Sequence, residues 1–216
     1  IAFSPSGVRF YYLPEQLEGF QQSRPGRKMI DLDVASIVYT SGSTGKPRGA
    51  TLSHLNIVTN TRSITDYLEL SARDRVMVIL PFYYIYGKSL LNTHFFIGGS
   101  VVTDNRFTFP NAVLKTMREQ QATGLSGVPS TFTVLLNRSN LRTQNFPALR
   151  YVTQAGGAMA PVIQKEVAAV FAPAKLFIMY GATEASARLS YLSPADLPRK
   201  WGSIGKAIPN VELFIA

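Results

Sequence analysis

Residues 39–49 read Tyr39-Thr40-Ser41-Gly42-Ser43-Thr44-Gly45-Lys46-Pro47-Arg48-Gly49, hydroxyls and glycines followed by two cations. Glycines let a backbone turn sharply and approach a ligand, while hydroxyls and free N–H groups donate hydrogen bonds to anionic oxygens. Lys46 and Arg48 add positive charge, and the combination is suited to holding polyphosphate. It is not a Walker A loop, because Thr40 stands where the first glycine belongs and Pro47 follows the lysine. Proline has no N–H to donate, so Pro47 cannot open a phosphate-cradling helix. A flexible Gly/Ser linker would not be expected between a strand and a capped helix. The apolar run Ala35, Ile37, Val38, Tyr39 reads as a buried strand before the stretch, and Ser53 reads as the N-cap of a helix after it.

Other residues at strand ends could do related chemistry. Pro81-Phe82-Tyr83-Tyr84-Ile85-Tyr86-Gly87 offers an aromatic wall, Gly156-Gly157-Ala158 a close-approach turn, and Tyr180-Gly181-Ala182-Thr183-Glu184 a hydroxyl and a carboxylate. Taken alone, Glu184 would be an ordinary surface carboxylate, the three tyrosines ordinary rim or core aromatics, and Gly156-Gly157 a plain turn. His54 and His94 lie in helical patterns without metal-ligand spacing and read as structural.

The elements that must position these groups follow from periodicity. Strand-like runs occur at 35–40, 75–80, 100–103, 124–128, 149–154 and 175–180. Helical patterns cover 54–68, 87–97, 110–121 and 161–171, the last two opening on proline. Alternation of this kind predicts an α/β fold, a largely parallel sheet with helices on both faces. Ligands of such sheets gather at the carboxyl ends of strands. The segments 40–49, 81–87, 155–158 and 181–184 are therefore expected to line one crevice.

Residues 1–30 read as the tail of a preceding subdomain and a linker, 31–200 as the ligand-binding α/β unit, and 201–216 as the start of a further β-rich lobe with a strand over 211–215. The chain begins at Ile1 with no signal-peptide pattern and has the look of a piece of something longer.

Composition bounds the remaining possibilities. With 216 residues, 46% apolar and 16% charged, the chain is globular. Cysteine is absent, which excludes disulfides and cysteine-ligated metals and leads to the expectation of a reducing, cytoplasmic setting. No run is long enough to span a bilayer. The net charge of +9 comes from scattered cations, with Arg24, Arg27 and Lys28 the main cluster, and no basic stripe with interleaved aromatics suggests nucleic acid. Attraction of a small anionic ligand accounts for the charge equally well.

Taken together and in order, these segments resemble the adenylate-forming enzymes: acyl-CoA synthetases, adenylation domains of nonribosomal peptide synthetases, and firefly luciferase. Residues 39–49 are similar to the family's phosphate loop, 81–87 to its aromatic segment, 156–158 to its adenine loop and 180–184 to its YGxTE motif. Gly202-Ser203-Ile204-Gly205-Lys206 is similar to a later signature.

The resemblance implies roles. Thr40, Ser41, Gly42, Ser43, Thr44, Gly45 and Lys46, with Arg48, would hold the β- and γ-phosphates of ATP. Thr183 would bond the α-phosphate, and Glu184 would help hold Mg²⁺. Tyr180, Gly181 and Ala182, with Gly156, Gly157 and Ala158, would surround the nucleotide, and Tyr83, Tyr84 and Gly87 would border the acid substrate. An acyl-adenylate would form and pass its acyl group to CoA or to a carrier protein's pantetheine. An apolar, aromatic pocket built from Phe82, Tyr83, Tyr84 and the helix 87–97 is expected to suit a fatty or aromatic acid better than a charged one.

Two residues depart from the family pattern: Tyr84 stands where many members have histidine, and Arg48 where lysine is commoner. The family's ribose-binding aspartate and the C-terminal domain with its catalytic lysine lie beyond this chain, so the isolated piece is expected to be inactive. A nucleotide-binding module without catalysis is the alternative.

Overall fold

A two-stranded antiparallel ribbon, β1 (Val34–Thr40) and β2 (Arg48–Ser53), precedes the main sheet. The computed structural model describes residues 29–40 and 45–214, so Ser41, Gly42, Ser43 and Thr44 lie outside the described residues, as does nearly all of the 1–30 segment. The expectation of a buried strand at 35–40 is corrected here. β1 pairs with β2 and not with the main sheet, so only one of its faces finds a core. Val38 and Leu52 pack with Ile85 and Ala187, whereas Tyr39 is 73% exposed. Arg48 and Gly49, read as loop, are the start of β2, and Thr40 pairs with Arg48 across the ribbon.

Ser53 caps α1 (His54–Tyr67) as expected: its hydroxyl accepts from the Asn56 N–H at 3.2 Å, and the Asn56 side chain accepts from the Ser53 N–H at 3.0 Å. Next come β3 (Arg75–Val78), α2 (Ile85–Phe96), β4 (Ser100–Thr103), α3 (Pro110–Glu119) and β5 (Gly124–Gly127). They are followed by α4 (Pro129–Arg138), β6 (Tyr151–Gln154), α5 (Pro161–Val170), β7 (Lys175–Tyr180), β8 (Ser190–Leu192) and β9 (Lys206–Ala207). The order across the sheet is β4-β3-β5-β6-β7-β8-β9, parallel from β4 to β7 and antiparallel for β8 and β9. Among the described residues, 211–214 form no strand, in contrast to the run expected there.

Period-two alternation divides the strands between two cores. Val76, Val78, Tyr151, Phe177 and Met179 face Ile64 of α1 and Leu90 of α2. Met77, Leu125, Val152, Leu176 and Ile178 face Val113 of α3, Leu135 of α4 and Val167 of α5. The result is the expected mostly parallel sheet with helices on both faces.

The strand order has a direct consequence for function. From β3 the chain crosses outward to β4 and then returns past β3 to β5, so connections leave the neighbouring strands β3 and β5 in opposite directions. A crevice opens at such a switch point, outside the carboxyl ends of the strands.

Candidate active site

A cavity of about 520 Å³ lies at those carboxyl ends, within the range of small-molecule sites. It is lined by Tyr84, Ile85 and Tyr86 after β3, by Gln154 at the end of β6 with Ala155, Gly156, Gly157 and Ala158 after it, and by Tyr180 at the end of β7 with Gly181, Ala182 and Thr183 after it. Gly202, Ser203 and Ile204 close a further side. Three of the segments expected to share a crevice therefore do so.

The fourth does not line this cavity within the described residues. Thr40, Gly45, Lys46 and Arg48 belong to the ribbon and its connection, with Lys46 and Arg48 exposed. Tyr83 is 84% exposed and is not part of the lining, while Gly87 is buried against the Pro81 carbonyl, where a Cβ would meet oxygen at 2.3 Å. Glu184 lines a second cavity of about 380 Å³ instead, together with Ser186 and Arg188.

The glycines of the site have distinct reasons. Gly156 has φ +83°, and a Cβ there would lie 2.5 Å from the Tyr84 hydroxyl oxygen, so Tyr84 can close over the loop only because residue 156 is bare. At Gly181 a Cβ would meet the Ala187 carbonyl oxygen at 1.8 Å. Gly157 is different: its nearest neighbour would be the Pro129 ring at 3.4 Å, an ordinary contact. Packing does not demand glycine at 157, and the bare backbone leaves room beside the cavity for a ligand. Gln154 spans the same loop, donating through Nε2 to the Gly157 carbonyl at 2.8 Å, while its buried Oε1 has no partner.

Thr183 opens a short 3-10 turn, Thr183–Ala185, after which the backbone is contorted. Ser186 has φ +57° and Ala187 φ +103°, the latter an uncommon conformation for a residue with a side chain. The contact of Gly181 with Ala187 holds this strain in place, and the chain then delivers Arg188 into the interior at 2% exposure. Its guanidinium lies 4.7 Å from the centre of the Tyr86 ring. Burial pushes the Tyr67 phenol up to about 12 against the opposing effect of Arg188. Burial likewise raises Tyr86, whose hydroxyl bonds the Thr153 carbonyl at 3.1 Å. Both phenols are therefore neutral at ordinary pH.

Nothing among the described residues forms a cluster of three or more metal-ligating side chains. Glu184 alone offers an accessible carboxylate next to Thr183. That suits a magnesium ion, which keeps several waters and binds through one or two carboxylates plus substrate phosphates.

Sequence reasoning named Tyr86 only as one of three aromatics of the 81–87 segment and did not single out Gln154 or Arg188. No motif marks Gln154 or Arg188, and an arginine is by default a surface residue. A long apolar stretch around 176–179 signals a buried strand but says nothing of a buried cation nine residues on.

A family model for AMP-binding enzymes matches residues 10–216, and the chain belongs to that family. The long-chain-fatty-acid–CoA ligase of Yersinia pestis is 32% identical over 219 residues, covering 94% of this chain and 38% of that protein. The indoleacetate–CoA ligase of Aromatoleum aromaticum is 31% identical over 179 residues, covering 83% of this chain and 35% of that protein. Among solved structures, O-succinylbenzoate coenzyme A synthetase (MenE) of Bacillus subtilis, in complex with ATP and magnesium ion, superposes with a TM-score of 0.74. It is 29% identical, and the match covers 84% of this chain and 37% of that one. The chain spans well under half the length of these relatives.

Proposed function

We propose that the protein is an AMP-forming acid–thiol ligase, activating a carboxylic acid with Mg-ATP and passing the acyl group to CoA or to the pantetheine of a carrier protein. The observation that carries this reading is the convergence of Tyr84, Gly156, Gly157, Ala158, Tyr180, Gly181, Ala182 and Thr183 on one cavity at the carboxyl ends of β3, β6 and β7. The family membership and the ATP-bound likeness of MenE support it.

In this reading Gly156, Gly157, Ala158 and Tyr180 hold the adenine, and the Thr183 hydroxyl donates to the α-phosphate. Lys46 and Arg48 neutralise the β- and γ-phosphates with Thr40, Ser41, Gly42, Ser43, Thr44 and Gly45. Glu184 would hold magnesium, which supplies charge neutralisation on the phosphates. A carboxylate oxygen of the acid attacks the α-phosphorus and the bond to pyrophosphate breaks. The thiol sulfur then attacks the acyl carbon, and AMP leaves. The protein supplies position and charge rather than a nucleophile, so the lack of cysteine is no obstacle.

The test is carboxylate-dependent exchange of labelled pyrophosphate into ATP by the protein expressed from its complete reading frame. Exchange with at least one acid is expected, and Thr183→Ala should slow it by about a hundredfold or more. Mg-ATP binding without exchange across a broad panel of acids would contradict a ligase and favour a nucleotide-binding module.

A further inference from the structure

Among the described residues Arg188 is a buried cation without a counter-ion. It is 2% exposed and lines both cavities, and among the described residues no carboxylate pairs with it. One of its nitrogens donates to the Ala187 carbonyl at 3.1 Å, while its buried Nε has no partner. The neighbouring phenols of Tyr67 and Tyr86 are neutral and cannot balance the charge. Tyr86 is attracted to the guanidinium through its ring face, which leaves the edge N–H groups to other partners: one meets the Ala187 carbonyl, the Tyr67 hydroxyl takes another, and Nε stays unpaired. An isolated buried charge is costly unless it is paired and hydrogen-bonded. A stacked guanidinium holds its edge N–H groups in one plane suited to a carboxylate, and the unpaired Nε is the donor such a group would complete.

Its place in the cavity says which anion it meets. Thr183 and the 45% exposed Tyr180 stand toward the mouth, where the nucleotide reading puts the phosphate and adenine. Arg188 lies on the inner side, over the fully buried Tyr86 whose hydroxyl bonds Thr153 on the strand itself. A ligand group that reaches Arg188 therefore belongs to the far end of the acid, not to the carboxylate being activated beside the α-phosphate.

We infer that Arg188 selects an acid carrying a second carboxylate: the substrate is a dicarboxylic acid whose distal carboxylate pairs with this guanidinium. This rests on the acid-activating reading above and replaces the fatty or aromatic acid expected from Phe82, Tyr83 and Tyr84: Tyr84 lines the cavity, but Phe82 and Tyr83 are exposed and absent from its wall. Arg188 acts in specificity; the reacting atoms lie elsewhere.

The test uses glutarate, adipate and suberate against pentanoate, hexanoate and octanoate, in pyrophosphate exchange and in direct calorimetric binding. Wild-type protein and Arg188→Met are compared, with thermal unfolding as the control for folding. Arg188→Met should fold, since an apolar side chain of similar length in place of an unpaired buried charge is tolerated. The expected result is a wild-type kcat/KM for at least one dicarboxylate about a hundredfold above its matched monocarboxylate, with the preference lost or reversed in Arg188→Met. Exchange that prefers monocarboxylates, or a preference unchanged in the variant, would overturn the inference while leaving the ligase reading intact. If no acid supports exchange, the ligase reading fails, and calorimetry decides on its own: dicarboxylate binding lost in Arg188→Met upholds the pairing, and no such binding overturns it. Should Arg188→Met not fold, Arg188→Lys, which keeps the charge but not the fork, takes its place, with the same loss of dicarboxylate preference expected and an unchanged preference overturning the inference.

Discussion

At the residue scale, polar groups sealed in the fold fall into two kinds, and the difference separates structure from function. His94 is satisfied: Nδ1 donates to the Leu90 carbonyl at 2.9 Å, which leaves Nε2 as the acceptor for the Tyr151 hydroxyl at 2.8 Å. Arg188 and Gln154 keep unpartnered atoms and lie on the cavity, where a ligand can complete them. Burial holds His94 below its usual pKa, against the raising effects of the Leu90 carbonyl and Asp74. Its stabilising contribution is thus present above the unfolded-state value of about 6.5 and is lost as pH falls below it, because the unfolded chain takes up the proton first. The thermal midpoint should drop between pH 7.5 and 5.5, and His94→Gln should flatten that slope. Parallel slopes in the two proteins would show that another group is responsible. The reading of His94 as structural from its sequence context agrees with this network.

At the element scale, the turn after β7 carries the strain of the site. Gly181 faces the Ala187 carbonyl so closely that a methyl group cannot fit, and Ala187 itself has a positive φ. Gly181→Ala should destabilise the protein by about 1–3 kcal/mol and disorder the Thr183 turn, read as a lower thermal midpoint. A midpoint within a degree of wild type would mean that the turn is looser than it stands here. Strands and helices with clear periodicity were legible in the sequence: 100–103 and 175–180 coincide with β4 and β7. α4 was not, because Thr131, Thr133 and Val134 are β-branched residues that weaken a helical pattern. β2 was hidden because Arg48 and Gly49 look like the end of a polar loop, and only pairing with β1 makes them a strand. The apolar run of β1 suggested burial, yet a ribbon apart from the main sheet has no second core to enter.

At the scale of the whole molecule, the order of strands brings together loops that are distant in sequence. Residues 84–86, 154–158 and 180–183 meet because β3, β6 and β7 run parallel and end on one side. The Gly- and hydroxyl-rich motifs at strand ends made those loops readable as a ligand site, and the α/β alternation made the sheet readable. The inner wall was not readable, since the burial of Arg188 depends on long-range packing with Tyr86 and Tyr67, which periodicity does not encode. Asn60 at the middle of α1 donates to the Arg188 carbonyl at 2.7 Å, a contact between residues 128 positions apart that no local pattern could announce.

The central claim is that this cavity is where the nucleotide sits, and Gly157 provides the most direct measurement of it. Packing leaves room for a side chain at 157, so Gly157→Leu should fold with a thermal midpoint close to wild type while filling the slot beside the cavity. Calorimetric titration with Mg-ATP is then decisive. Wild-type protein should bind, and the variant should lose affinity by about tenfold or more, a free-energy change of roughly 1.4 kcal/mol. Equal affinity in the two folded proteins would contradict the placement of the nucleotide at the carboxyl ends of β3, β6 and β7.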